Sequence, residues 1–253
     1  MERGGTRMKK FEYTPPEQPR ELILKLGQKI TDRIGHTVTA EDPEYYGLEA
    51  LVTDEMAEVA LKMKVRKPMT LAQIVKATGK EEKVLEELLQ EMSNIGLLEY
   101  NWENPKHEKQ YVLPMYVPGS AEFFNMKLDQ IKEHPEVASF FERMAFLPLQ
   151  KVTPMVPPGG AGIGMHVIPV EKAIETENES VSVEHISHWL DKYDGKYAAG
   201  PCSCRYSRGV LGEGCADDPE DWCIGVGDMA DYLVETNKGH YICLLYTSDA
   251  ADE

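Results

Sequence analysis

Long apolar runs are missing from this chain. The longest, residues 241–246, is six residues, against the ~18 or more that a membrane-spanning helix requires. No charged-then-apolar stretch opens the chain as a secretory signal would, so a cytoplasmic protein with no membrane partner is expected. Basic residues are few. The 27 Lys and Arg against 43 Asp and Glu leave a formal net charge of −16 over 253 residues. A surface this acidic repels polyphosphate, which argues against a general nucleic-acid binder. Cysteine is absent before Cys202; four thiols then fall between Cys202 and Cys223, and a fifth is Cys243. Thiols bunched in a chain without a signal point to a metal site more than to a disulfide framework. What is present is ordinary: 42% hydrophobic and 28% charged residues exclude a disordered chain. The length suits one large domain or two small ones.

The two ends are read apart from the fold. Residues 243–253 look like the translation of a sequencing adapter, so the natural sequence is expected to stop near Ile242, as a fragment of a longer product. Removing that tail takes away Cys243 and the charges of Asp249, Asp252 and Glu253. At the other end, Arg3-Gly4-Gly5 is what a purine-rich ribosome-binding sequence would encode, and Met8 is the expected start.

The expected fold class is α+β, mostly helical: a winged-helix-like domain followed by a small Cys-rich iron–sulfur module. Residues 1–43 read as an N-terminal extension with Pro15, Pro16 and Pro19 and a helix over 21–33. Leu48, Leu51, Val52, Met56, Val59 and Met63 recur at spacings of three and four, one face of a single helix that Pro68 ends. Thr70 and Gln73 form a capping box, with Met69 and Ile74 placed for a hydrophobic staple, and Gly79 stops that helix. Val84, Leu85, Leu88, Leu89 and Met92 mark the buried face of the next, which Gly96 ends. Strands are expected over 97–102 and 110–113.

Three helices and a two-stranded ribbon over 44–118 resemble a winged-helix domain, whose third helix would enter the major groove of DNA. Its charge opposes that use. Residues 80–94 carry Glu81, Glu82, Glu86, Glu87 and Glu91 against Lys80 and Lys83, so phosphates repel it. A packing or docking module is the expectation. Residues 119–165 hold a helical stretch over 121–146 and a Pro/Gly linker. Gly159, Gly160, Gly162 and Gly164 lack the G-x-G-x-x-G spacing, and Pro154, Pro157 and Pro158 stand where a strand should precede it, so no dinucleotide loop is read here.

The chemistry lies in residues 166–242. A helix near Ser182 carries His185 and His188 at i, i+3, without a partner in register, and they are set aside as ligands. Cys202, Cys204, Cys215 and Cys223 then read C-x-C-x10-C-x7-C, interleaved with Gly209, Gly212, Gly214, Gly225 and Gly227. A [4Fe–4S] cluster needs four converging thiolates and backbone that bends to donate N–H groups to sulfide. Arg205 and Arg208 beside the thiols would offset the cluster's negative charge. Two other chemistries compete. Structural zinc also uses four Cys, usually in C-x2–4-C pairs. A redox C-x-C disulfide would use Cys202 and Cys204 but leave the other two idle.

Ile168-Pro169-Val170-Glu171-Lys172-Ala173-Ile174, Gly200-Pro201-Cys202-Ser203-Cys204-Arg205, Gly212-Glu213-Gly214-Cys215-Ala216-Asp217-Asp218-Pro219 and Cys223-Ile224-Gly225-Val226-Gly227 resemble the N-terminal region of large iron–sulfur flavoprotein oxidoreductases of anaerobic bacteria. In that family a winged-helix-like segment and a C-x-C-R module precede ferredoxin-type [4Fe–4S] domains and an FAD/NAD(P)H module similar to the glutamate synthase small subunit. The resemblance implies that the four cysteines are cluster ligands. It also implies that FAD and NAD(P)H sites belong to a missing downstream part. The partners it implies are the ferredoxin and flavin domains of the same chain and a ferredoxin-like electron carrier. The alternative, from another class, is a winged-helix metal- or redox-sensing regulator with a structural zinc or Fe–S site.

Overall fold

The computed structural model describes residues 13–141, 190, 192–193, 195–212 and 223–242. The glycines of the expected linker, His185, His188, Cys215 and both terminal segments discussed above lie outside them.

Helix α1 (Glu21–Ile30) buries Ile23, Leu26 and Ile30, one face at helical spacing. It is shorter than the 21–33 expected, because Thr31 turns extended. The periodic stretch after it, expected as one helix, is two: α2 (Pro43–Leu51) and α3 (Asp54–Lys62). Val52 and Thr53 between them are extended, and the Thr53 hydroxyl accepts from the Met56 N–H at 3.2 Å. A threonine that caps locally competes with helix continuation. The apolar stripe runs unbroken across the joint, so periodicity alone reads through it. Helix α3 also stops at Met63, ahead of Pro68.

Strand β1 (Met69–Thr70) leads into α4 (Leu71–Thr78). The expected capping box is present: Gln73 N–H donates to Thr70 Oγ1 at 3.4 Å, and Thr70 N–H donates to Gln73 Oε1 at 3.0 Å. Helix α5 (Glu82–Ile95) starts with the Glu81 carboxylate accepting from the Lys83 and Val84 N–H groups, and it ends at Gly96 in the left-handed region. Strands β2 (Glu99–Asn101) and β3 (Gln110–Val112) pair antiparallel with Tyr100 opposite Tyr111. Strand β1 pairs with the other edge of β3, giving the order β1-β3-β2.

The helical stretch expected over 121–146 is, as far as residue 141, three short helices: α6 (Ser120–Phe124), α7 (Leu128–Glu133) and α8 (Pro135–Phe141). Pro135 has no N–H for a continuing helix and is suited to a first position. Beyond it lie β4 (Tyr197–Gly200), α9 (Ser203–Val210), β5 (Cys223–Val226), α10 (Asp228–Glu235) and β6 (His240–Ile242). These strands form a second antiparallel sheet, β5-β4-β6.

The fold class is α+β, with two small antiparallel sheets. One buried cluster runs from Ile23 and Leu26 of α1 through Leu85 and Leu89 of α5 to Tyr206, Tyr232 and Leu233 near the cysteines. Polar contacts tie the same regions. The Tyr232 hydroxyl donates to the Leu98 carbonyl at 2.8 Å and the Trp102 N–H to Asp228 Oδ2 at 2.8 Å. The buried Lys238 ammonium donates to the Ser93 and Asn94 carbonyls at 2.9 and 3.0 Å, closing the end of α5.

An acid-sensitive network joins α1 to α2. Asp42 accepts from Thr39 N–H (2.7 Å), Thr39 Oγ1 (2.9 Å) and Arg33 Nη2 (2.8 Å), and meets His36 Nε2 at 2.9 Å. Burial pushes its carboxyl up, but the hydrogen bonds from Arg33, Thr39 and His36 outweigh burial and hold it at about 2. A lowered carboxyl contributes stability fully above its unfolded value of about 3.9. That contribution is lost as pH falls through about 2. Asp42→Asn is therefore expected to be less stable than the wild type at neutral pH. Urea unfolding across the acid range should show the two converging as that value is approached.

Candidate metal centre

Strand β4 delivers the chain through Gly200-Pro201 to Cys202, which stands at the N-terminal boundary of α9 in extended conformation. Cys204 follows in the first turn of α9. Cys223 opens β5, and antiparallel pairing sets it opposite Gly200. Sheet register thus returns the last cysteine of the block beside the first. The Cys202 thiol is within hydrogen-bonding reach of both the Cys204 and the Cys223 thiols. All three are free thiols; Cys202 and Cys223 are half-buried and Cys204 is exposed.

The electrostatics follow from that crowding. Burial pushes the Cys223 thiol up to about 11, with the Cys202 thiol adding to the rise and the Ser203 N–H, hydrogen-bonded to its sulfur, opposing it. Cys204 is exposed as a residue, yet the protein around its thiol raises its pKa first. The Cys202 thiol and the Glu122 carboxylate raise it further, against a hydrogen bond from Ser203. Helix α9 directs its first-turn N–H groups and the positive end of its dipole toward this place. A cation here would relieve like-charge crowding that protons now relieve.

Arg205 and Arg208 both lie on α9, half-buried. Arg205 is three residues beyond Cys202 and Arg208 four beyond Cys204, spacings that share a helix face. Cys215 lies outside the described residues. Among the described residues, no group of three or more His, Cys, Asp or Glu side chains stands as a ready-made metal-coordinating set.

Two features depart from the expectation that backbone at the glycines interleaved with the thiols bends around a cluster. Residues 203–210 are helical, although Ser and Gly are weak helix formers, because Tyr206 and Val210 bury one face and α9 packs on α8. Those two residues at i, i+4 are the signal the sequence reading passed over. Gly225, expected to bend around inorganic sulfide, instead admits α10. A Cβ there would stand 2.7 Å from Leu233 Cδ1. Gly200 likewise admits the backbone that leads into β6, since a Cβ there would collide with the Lys238 carbonyl oxygen. Glu122 is a further neighbour that the sequence did not single out. It accepts from the Gly119 N–H at 2.7 Å, and burial raises its carboxyl.

The outer face of α5 is acidic as expected: Glu81, Glu82, Glu86, Glu87 and Glu91 are all exposed. Among the described residues, no helix is long and apolar enough to cross a membrane. Comparison of the chain with protein-family models, curated protein sequences and solved structures finds no match.

Proposed function

We propose that Cys202, Cys204 and Cys223, with Cys215, hold a [4Fe–4S] cluster. In this reading the chain is the electron-transfer N-terminal segment of an iron–sulfur, FAD- and NAD(P)H-dependent oxidoreductase. The observation that carries it is that the Cys202 thiol lies within hydrogen-bonding reach of both the Cys204 and the Cys223 thiols, which come from the two ends of the cysteine block to the start of α9. Thiolates supply the ligands, and the Ser203 N–H and the helix end supply the hydrogen bonds and partial charge that favour them. A bound cluster supplies one-electron transfer. Arg205 and Arg208 lie close enough along α9 to balance part of its charge. The flavin and nicotinamide chemistry belongs to a downstream part, and the partners are its ferredoxin and flavin domains or a ferredoxin-like carrier.

Residues 44–118 fit a winged helix in element sequence and in the order β1-β3-β2. The acidic α5 favours a docking role over DNA binding. Glu213, Asp217, Asp218, Glu220 and Asp221 lie along the sequence between Gly212 and Cys223 with no base among them. Negative charge nearby disfavours adding an electron, so the cluster is expected at a low potential. Anaerobic reconstitution should give a brown protein with about four irons and four sulfides per chain. Redox titration should then place it clearly negative; a positive potential contradicts the charge argument.

One observation favours a second reading, a regulator with structural zinc. Thiols close enough to hydrogen-bond suit one ion, since a Zn–S distance of about 2.3 Å sets tetrahedral sulfurs about 3.8 Å apart. A colourless protein with one zinc, shifting genomic fragments in a low-salt gel, would establish that reading and end the cluster proposal.

A further inference from the structure

A second site lies on the opposite sheet and is independent of the cysteines. Tyr100, Trp102 and Tyr111 form three walls around the Lys109 ammonium. Its Nζ lies 3.7 Å from the Tyr100 ring centroid, 5.5 Å from Tyr111 and 5.8 Å from Trp102. All three fall within the ~6 Å over which a ring face attracts a cation. The rings stand nearly at right angles: Tyr100 meets Trp102 at 80° and Tyr111 at 74°. They form a box rather than a stack. The cross-strand pairing of Tyr100 with Tyr111 sets two of the walls.

The box adjoins a surface cavity of about 330 Å³ that Lys109 and Tyr111 also line, with Glu82, Glu86 and Glu108 around it. Acid continues behind the cage, where the Tyr100 hydroxyl donates to Glu235 Oε2 at 2.7 Å. An aromatic box with a carboxylate-lined approach is chemistry for an organic cation.

Its present occupant suits it poorly. A primary ammonium carries three N–H donors. Among the described residues, Lys109 Nζ has one acceptor, Gln90 Oε1 at 3.4 Å. Burial accordingly lowers the Lys109 pKa, against the pull of Glu235 and Glu86. A quaternary ammonium has no N–H to satisfy and loses nothing in such a box.

We propose that the Tyr100–Trp102–Tyr111 cage is a binding site for an N-methylated ammonium group, and that Lys109 is a built-in plug which such a ligand displaces. The side chain of Lys109 occupies the position of the cationic head, and the acidic cavity receives the body that carries it. The shared chemistry is the quaternary head, whether on a free small molecule or on a trimethylated lysine of a polypeptide.

The test uses the full chain and calorimetric titration with tetramethylammonium and with ammonium. Lys109→Ala is expected to bind tetramethylammonium at least tenfold more tightly than the wild type, and to prefer it over ammonium by a similar factor. Adding Trp102→Ala should cancel the gain. Choline and a trimethyllysine peptide then separate the two sources: whichever binds Lys109→Ala more tightly names the class. Melting curves accompany each variant, and Lys109→Gln repeats the comparison if the alanine variant does not fold. No gain in a folded variant overturns the proposal. So does loss of the fold in both, since Lys109 would then be part of the core rather than a plug.

Discussion

Cys204→Ser is expected to leave the chain with little of its bound iron, and adding Cys215→Ser to remove little more. The four thiolates would ligate one inorganic core, so the first substitution already breaks it, and residues that act as a unit lose additivity. The geometry makes Cys204 a demanding choice. It lies in the first turn of α9 against the Cys202 thiol, which in turn reaches Cys223. Removing it should disturb all three positions. If the cluster is bound as proposed, its binding would be coupled to folding, because the sequence between Gly212 and Cys223 holds few apolar residues. Limited proteolysis of Cys204→Ser is therefore expected to cut within residues 213–222 while 44–118 survives. Cys243→Ser is the control and should change neither iron content nor cleavage. Iron loss from Cys243→Ser as severe as from Cys204→Ser would overturn the ligand set.

Arg33→Ala is expected to destabilise the fold by about 3–5 kcal/mol, the cost of leaving a buried charge without its partner. The Glu44 side chain is fully buried. It accepts from Arg33 Nε at 2.8 Å, Arg33 Nη2 at 2.5 Å and Thr31 Oγ1 at 2.6 Å. Without the guanidinium, Glu44 keeps, among the described residues, only the threonine hydroxyl. The lower figure applies better because Arg33 itself retains some solvent contact. Arg33→Ala combined with Glu44→Gln should recover part of the loss, since the orphaned charge is then gone. Urea unfolding of the two variants beside the wild type reads both effects; equal loss in both would place the cost in packing instead.

What sequence by itself determined here is local. The capping box of Thr70 and Gln73, the stops at Gly79 and Gly96 and the acidic outer face of α5 all depend on residues three or four apart. Backbone geometry brings such residues together whatever the rest of the chain does. Composition likewise singled out the cysteine block as the candidate site, because thiols so closely spaced suggest a shared reason. Tertiary structure decided the rest. The stripe from Leu48 to Met63 reads as one helix, and only the Thr53 cap shows the break, because both halves bury the same face against α1. Helix α9 exists because Tyr206 and Val210 are buried and the helix packs on α8, which overrides the poor propensity of its own residues. The meeting of Cys223 with Cys202 depends on the register of β4 with β5. The caging of Lys109 depends on the register of β2 with β3. Register is set by long-range pairing and by what each face buries, and no spacing along the chain encodes it.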